Sequence, residues 1–365
     1  MDQAIEASEN SEISHHLLYA DVIRSIATIL VVWTHVAGCY IYNPTGPAIT
    51  SAAWQAANLM TAIGRPCVPL FVILSGVLLL KPGQTSDVGK AFWQKRFGRI
   101  LIPFLLWSCI FMALRLGYNK ESFTSLQILD AFVKGTISSH LWFVYMIMAM
   151  YILTPIIQIY VRSAQWRDYL YLMGLWSINC VMMPMVMFLT NYDIYIFSFF
   201  GLSGFGGYYL SGAYLKQIKV TNRNRSLLIL IIAIGTITTT AITAHLSQQA
   251  GKFVPYFYSY LSPNVVIQSI AAFLLLKDLP YNTLAKKNSL FIPSLKTMST
   301  ASFGIYLVHP LVVSAIESGK LGFSITGSPI TPWIVVPICT VVVTLVSMTI
   351  ALALRKIPKI GPYLC

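Results

Sequence analysis

Apolar runs of about 20 residues recur along the whole chain, and they constrain its fold more than any other feature. A helix needs about 20 apolar residues to cross the hydrocarbon core of a bilayer, because each residue advances it by about 1.5 Å. Runs of this length occupy ranges 17–40, 59–80, 98–117, 140–161, 168–190, 195–215, 226–246, 258–277, 300–318 and 331–354. The sequence therefore predicts an all-α polytopic membrane bundle of about ten transmembrane helices.

The composition agrees with a membrane protein and argues against a soluble domain. Hydrophobic residues make up 56% of the 365 residues and charged residues only 10%, whereas soluble domains carry about 25% charged residues. No low-complexity linker separates the apolar runs, so we predict one transmembrane domain at 17–354. We expect a disordered acidic cytoplasmic tail at 1–16 and a short basic cytoplasmic tail at 355–365.

The basic residues lie mostly on one side of the predicted helices. The formal net charge of +13 would by itself fit a nucleic-acid partner. When the N-terminus is placed inside, however, most of the 25 Lys and Arg residues fall in inner loops. This is the positive-inside pattern. It predicts a multi-pass protein of the inner (plasma) membrane with both termini cytoplasmic and with the lipid bilayer, not nucleic acid, as its partner.

The first apolar run, YADVIRSIATILVVWTH (19–35), carries ionisable residues that membrane helices rarely contain. Eleven residues turn a helix by about 1,100°, close to three full turns, so Arg24 and His35 share a face about 16 Å apart along the axis. Asp21 lies one turn before Arg24 and can pair with it. A neutral imidazole can act as a general base near pH 7, which makes His35 a candidate catalytic residue together with Arg24. Snorkelling of Arg24 and a packing role for His35 are the open alternatives.

The segment FWQKRFGRILIP precedes the third apolar run and places Arg96 and Arg99 at the predicted inner surface. Residues three apart on a helix face the same way. Two guanidinium groups in this arrangement can clamp phosphates. The open alternative is that both are only positive-inside anchors.

Two further histidines lie at or within apolar runs. His309 lies in the ninth run, three residues after Tyr306, and His140 opens the fourth run at the predicted outer surface. His309 and Tyr306 fall on one side of a helix. We predict that these residues bind substrate or support the site, and packing in the core remains open for the histidines. The cysteines and histidines match no metal-ligand spacing, so we expect no metal.

Five stretches of the chain resemble the acyltransferase-three family of integral membrane acyltransferases. They are YADVIRSIATILVVWTH (19–35), RPCVPLFVILSGVLLL (65–80), KRFGR (95–99), HLWFVYMI (140–147) and FGIYLVHPLV (303–312). The resemblance covers roughly residues 17 to 354, and the layout is particularly similar to that of members that O-acetylate the enterobacterial common antigen. One departure is Val77, because many members have an aromatic residue there, and we interpret it as a packing variation.

The resemblance implies an acyl-CoA-dependent O-acetyltransferase. An acyl group, usually acetyl, would pass from cytoplasmic acetyl-CoA to a hydroxyl of a glycan or lipid-linked glycan of the cell envelope, with polysaccharide assembly machinery as a candidate partner. His35 would be the catalytic histidine, and Arg24, Arg96 and Arg99 would serve the donor. We expect Arg24 and His35 to border a single hydrated cleft, open to CoA on one side and to sugar on the other.

Two other functions remain open at this point. The polar faces of the first and ninth runs could line the pathway of a transporter or flippase for a lipid-linked glycan, and the chain could be a structural partner of a polysaccharide synthase. The sequence does not identify the acceptor sugar, the acyl group or an acyl-histidine intermediate. Ser75, Tyr306 and Arg65 are candidates for oxyanion stabilisation, with Arg65 expected near the outer end of the second span.

Overall fold

The computed structural model describes residues 2–43, 46–82, 89–118, 120–191, 204–281, 290–358, 361 and 364, with the backbone alone at 2–17, 90, 91 and 95. Within these residues every regular element is helical and no strand occurs, which confirms the predicted all-α bundle. The α-helices are α1 (Asp2–Tyr42), α2 (Ala52–Gly64), α3 (Cys67–Leu79), α4 (Lys90–Gly117), α5 (Ser125–Lys134), α6 (Trp142–Ser163), α7 (Trp166–Trp176), α8 (Met183–Thr190), α9 (Gly206–Leu215), α10 (Asn222–Ala250), α11 (Pro263–Lys277), α12 (Phe291–Glu317) and α13 (Pro332–Arg355).

Nine stretches of the described helices are long and apolar enough to cross a membrane. They are Leu18–Tyr42, Ala52–Leu79, Phe92–Gly117, Ser139–Ser163, Trp166–Thr190, Asn222–Ala250, Tyr256–Lys277, Phe291–Glu317 and Pro332–Arg355. The predicted sixth run, 195–215, lies partly outside the described residues. Its described part contains α9, whose residues are all buried. A membrane-spanning bundle of the predicted kind is therefore confirmed.

The second span differs from the prediction in where it begins and in its continuity. It begins at Ala52, where the Ser51 hydroxyl caps α2 by accepting a hydrogen bond of 3.2 Å from the Trp54 amide. Pro66 has no amide hydrogen and cannot continue the helical hydrogen bonds, so the span is interrupted between α2 and α3. Arg65 lies at this interruption, near the middle of the span, and its predicted position near the outer end is wrong.

The first helix lies at the centre of the bundle. It packs against α2, α3, α12 and α13. Arg24 contacts Ser299 in the first half of α12, and His35 contacts His309 in its second half, so α1 and α12 run parallel. Towards its N-terminus α1 extends back to Asp2, through the segment predicted to be a disordered tail. The division into domains and the cytoplasmic placement of both termini stay predictions.

Candidate active site

One cavity of about 490 Å³ collects the arginines that the sequence singled out. Arg24, Arg96 and Arg99 line it, and so does Arg355 from the end of α13. We call this space the arginine cavity. No Asp or Glu occurs among its described lining residues. Its walls therefore carry four positive side chains close together, which suits a polyanionic ligand.

Arg24 is held in place by two neighbours. Its Nη1 donates a hydrogen bond of 2.8 Å to the Ser299 hydroxyl and lies 3.4 Å from Oδ1 of Asp21. The Ser299 hydroxyl in turn donates to the same Asp21 oxygen over 2.6 Å. The predicted pairing of Asp21 with Arg24 is present in the structure. Because one acidic group and one hydroxyl fix the guanidinium, it is oriented before any ligand arrives.

The other arginines of the cavity are placed by α4 and α13. The Arg96 guanidinium lies 5.9 Å from the ring centre of Phe92 and 5.8 Å from that of Tyr151, while Arg99 is exposed one turn further along α4. Arg355 Nη1 donates a hydrogen bond of 2.8 Å to the Thr300 carbonyl. Three helices thus contribute cations to one space.

A second cavity, of about 720 Å³, contains His35 in its wall. We call it the histidine cavity. It lies at the opposite ends of α1, α4 and α12, and the hydroxyls of Ser138, Ser314 and Ser318 are among its polar groups. Its charged residues include Arg115, which forms an ion pair with Glu121 over 2.7 Å. This lining offers many hydrogen-bonding groups to a polar ligand.

The backbone of α1 sets the protonation pattern of the His35 ring. Nδ1 of His35 lies 2.8 Å from the Val31 carbonyl oxygen. A carbonyl oxygen can only accept, so in the neutral ring Nδ1 carries the hydrogen and Nε2 keeps a lone pair. His35 therefore presents an atom that can accept a proton or attack a carbonyl.

Tyr306, His140 and His309 separate the two cavities, and we call these three side chains the partition. The ring centres of His35 and His309 are 4.8 Å apart, and those of His309 and His140 are 5.8 Å apart. The Tyr306 ring lines the arginine cavity, and its hydroxyl donates to the His140 carbonyl. The Nε2 atoms of His140 and His309 are buried and have no hydrogen-bond partner among the described residues.

The expected single cleft is therefore wrong, because Arg24 and His35 line two different cavities. Helical spacing correctly turns both side chains towards the interior of the bundle. Helical spacing carries no information about the rings that lie between Arg24 and His35, and those rings belong to α12 and to the turn that precedes α6.

The comparison with protein families agrees with this geometry. A family model described as an acyltransferase domain matches residues 17–352. The chain belongs to this acyltransferase family. The match covers the partition and the lining of both cavities except Arg355, so the protein is a membrane acyltransferase, as the resemblance implied. No curated protein and no solved structure matches the chain.

The three oxyanion candidates of the acyltransferase all have other hydrogen-bond partners. Arg65 lies in neither cavity; its Nη1 donates to the Tyr258 carbonyl over 3.1 Å, and its guanidinium lies 4.6 Å from the ring centre of Tyr258. The Ser75 hydroxyl lines the arginine cavity but donates to the Phe71 carbonyl over 2.8 Å. With the Tyr306 hydroxyl also engaged, the oxyanion assignment stays a prediction.

Sequence reasoning missed Arg355 as a site residue of the acyltransferase. It directly follows the final apolar run and is the first residue of the predicted basic tail, where a basic residue is normal for a cytoplasmic helix end. Only the packing of α13 beside α12 reveals that it joins the arginine cavity. Although three histidines adjoin one another, no group of His, Cys, Asp or Glu in the described part of the chain is arranged to hold a metal ion.

Proposed function

We propose that this acyltransferase moves an acetyl or similar acyl group from cytoplasmic acetyl-CoA to a hydroxyl of a cell-envelope or exported polysaccharide. One observation carries the proposal. An arginine-lined cavity and a cavity with a histidine lone pair lie at opposite ends of the same helix pair, α1 and α12. Such a pair of cavities fits a reaction whose two substrates come from opposite sides of a membrane.

The arginine cavity suits the donor. CoA carries several phosphate charges, and guanidinium groups bind phosphate oxygens with two parallel hydrogen bonds. Arg24, Arg96 and Arg99 line this cavity at the end predicted to face the cytoplasm. The pantetheine arm is narrow and uncharged, and the apolar wall towards Phe143 and Tyr306 fits it. The acyl thioester then points towards the partition.

The histidine cavity suits the acceptor. Sugar hydroxyls form hydrogen bonds readily, and this cavity provides serine hydroxyls and charged groups around His35. It lies at the end predicted to face away from the cytoplasm. A glycan or lipid-linked glycan therefore fits here, and common antigen is one candidate acceptor. We place the protein in the inner membrane, with polysaccharide assembly machinery as a candidate partner.

The transfer step follows from the lone pair on His35 Nε2. Once the partition opens, the acceptor oxygen attacks the thioester carbonyl carbon while Nε2 takes the hydroxyl proton. The C–S bond breaks, the thiolate receives that proton from the imidazolium, and the products are an acyl ester and CoA thiol. Such general-base help contributes about 10²–10⁴-fold. The same lone pair also permits an acyl-histidine intermediate.

The His35→Ala variant tests the assignment of the base. In purified, reconstituted protein we expect the kcat for acetyl transfer to fall by about 10²–10⁴-fold. CoA binding should be unchanged, because His35 does not line the arginine cavity. His245→Ala is the matched control, since His245 is exposed on α10 outside both cavities. Transfer at the full rate by His35→Ala would overturn the base assignment.

The separation of the two cavities also favours a second candidate, a transporter or flippase for a lipid-linked glycan. A closed partition between two cavities is what alternating access requires. A flippase needs no thioester, so it would move glycan equally well with and without acetyl-CoA. Mass spectrometry of envelope glycans from cells with and without the gene separates the two functions, because only the acyltransferase reaction adds mass to the sugar. It also names the acyl group.

A further inference from the structure

Building on the proposed function, we infer that a third cavity binds neutral sugar units of the acceptor chain, next to the sugar that is acylated. This cavity has a volume of about 700 Å³, within the range of about 300–1,000 Å³ that is usual for ligand pockets. It is formed by the end of α1, the start of α2, the start of α13 and the segment 318–331 that joins α12 to α13. We call it the neutral cavity and the segment the α12–α13 loop.

The neutral cavity differs from the other two cavities in its charge. No Asp, Glu, Lys, Arg or His occurs among its described lining residues. The arginine cavity, by contrast, is lined by four cations, and the histidine cavity carries charges of both signs. A phosphate or carboxylate bound in the neutral cavity would lose hydration without gaining an opposite charge. The lining therefore favours an uncharged ligand.

Three hydroxyl groups of the α12–α13 loop are held in place with their hydrogens still to be donated. The hydroxyl oxygens of Ser324, Ser328 and Thr331 each accept a hydrogen bond from a backbone amide two or three residues further along, over 2.9, 3.1 and 3.2 Å respectively. A hydroxyl can donate as well as accept, and none of the hydrogen bonds described for these three residues uses the hydroxyl hydrogen. All three residues line the neutral cavity. Sugar oxygens are suitable acceptors for such donors.

Trp333 adds an aromatic side chain to this lining. It belongs to the wall of the cavity, yet 55% of it is exposed. The C–H faces of a sugar ring are apolar and can pack on an indole ring, while the sugar hydroxyls at the edge remain free to form hydrogen bonds. A tryptophan at a membrane interface is ordinary by itself. Its combination with oriented hydroxyls and an uncharged wall is what indicates carbohydrate.

One loop connects the neutral cavity with the histidine cavity. Leu321 lines the histidine cavity, and Ser324 lines the neutral cavity. Three residues of chain span at most about 11 Å, a distance that a chain of a few sugars can cover. The loop is fixed to the end of α12, because the Thr326 amide donates a hydrogen bond of 3.1 Å to the Glu317 carboxylate. An acceptor whose reacting sugar lies beside His35 can therefore extend its next sugars into the neutral cavity.

Binding of acceptor fragments of different length provides the test. The probes are oligosaccharides released from the envelope glycan of the producing cells and separated into single sugars and longer chains. We would measure their affinities for the full chain in phosphatidylcholine nanodiscs by nuclear magnetic resonance titration, without acetyl-CoA. The wild-type chain should bind the longer chains about 10-fold more tightly than single sugars. Trp333→Ala should remove this difference by weakening the binding of longer chains alone, and unchanged binding of single sugars shows that the variant folds.

Ala52→Phe is a second variant, which leaves Trp333 in place. Ala52 is exposed and lines the neutral cavity from α2, so a phenyl ring there should fill the cavity and remove the same dependence on length. Trp166→Ala is the matched control, because Trp166 is 53% exposed and lies outside all three cavities. It should leave every affinity unchanged.

The inference is wrong if the wild-type chain shows no preference for longer chains, or if both variants keep that preference. It is also wrong if Trp333→Ala weakens the binding of short and long fragments equally. Weaker binding of the intact lipid-linked glycan, without any effect on released fragments, would assign the cavity to lipid and overturn the inference. Acetyl transfer by the wild-type chain tests the proposed function separately, because the binding assay requires neither acetyl-CoA nor turnover.

Discussion

Tyr306 has two roles that its position in the sequence does not reveal. Its ring forms part of the wall of the arginine cavity, and its hydroxyl donates to the carbonyl of His140, another residue of the partition. His309 lies between Tyr306 and His35, so Tyr306 is the residue of the partition that faces the arginine cavity. Under the proposed function, we expect the Tyr306 ring to shield the donor thioester from water until an acceptor is present.

Tyr306→Ala should uncouple the acyl donor from the acceptor. Removing the ring opens the partition from the side of the arginine cavity, so water can reach the proposed donor thioester more easily. We expect hydrolysis of acetyl-CoA without acceptor to rise about 10-fold or more, given that general-base help alone supplies about 10²–10⁴-fold. Release of the CoA thiol, followed with a thiol reagent, measures it. Tyr306→Phe keeps the ring and should hydrolyse at the wild-type rate; equal rates in the two variants would contradict this role.

At the residue scale, the sequence identified residues with binding or catalytic chemistry more readily than the residues that contact them. Asp21, Arg24 and His35 stand out because charged and ionisable groups are rare in membrane helices. The hydrogen bond between Arg24 and Ser299 and that between His35 and the Val31 carbonyl could not be inferred, since serine and valine are ordinary residues in such helices. Arg65 shows the limit most clearly. It looks like a substrate-binding cation, yet its guanidinium donates to the Tyr258 carbonyl and the Tyr42 hydroxyl.

At the element scale, α3 and α9 pack through their backbones. A Cβ atom added to Gly76 would lie 1.9 Å from the Tyr209 carbonyl oxygen, and one added to Gly212 would lie 2.2 Å from that of Ile73. Small residues allow such close approach between membrane helices. Because Ser75 is next to Gly76, this contact also positions the α3 wall of the arginine cavity.

Gly212→Ala should destabilise the helix pair. The new methyl group would overlap backbone atoms that cannot rotate away, so we expect a loss of about 1–3 kcal/mol in the free energy of unfolding. Gly174→Ala is the matched control, because no atom lies within 4 Å of the added Cβ. Thermal unfolding of both variants in detergent measures the difference. If Gly212→Ala were as stable as Gly174→Ala, the close packing of α3 and α9 would be refuted.

The sequence predicted most elements because the apolar runs are long and the bilayer fixes their length. The prediction was wrong where local interactions set the start and the continuity of a helix. The second span begins earlier than its strongest hydropathy, because Ser51 supplies a cap, and it is interrupted at Pro66. Mean hydropathy along the chain detects neither the cap nor the interruption, although the proline itself is visible in the sequence.

At the scale of the whole molecule, the two cavities make the two ends of the bundle chemically different. The arginine cavity lies at the end where the positive-inside pattern predicts cytoplasm, and the histidine cavity lies at the other end. The sequence analysis correctly placed Arg24 and His35 on one interior face of α1, but it predicted that both border a single cleft. The missing information was non-local, because the partition is built from residues on α12 and on the turn that precedes α6.

The most direct test of the account is acyl transfer across a sealed membrane. Protein would be reconstituted in one orientation, with acetyl-CoA carrying a labelled acetyl group outside the vesicles, on the side of the arginine cavity, and envelope glycan enclosed within. We predict that label appears as an ester on the enclosed glycan, and that His35→Ala prevents it while His245→Ala does not. Label that stays on CoA, or reaches glycan only when both substrates share one side, would contradict the account.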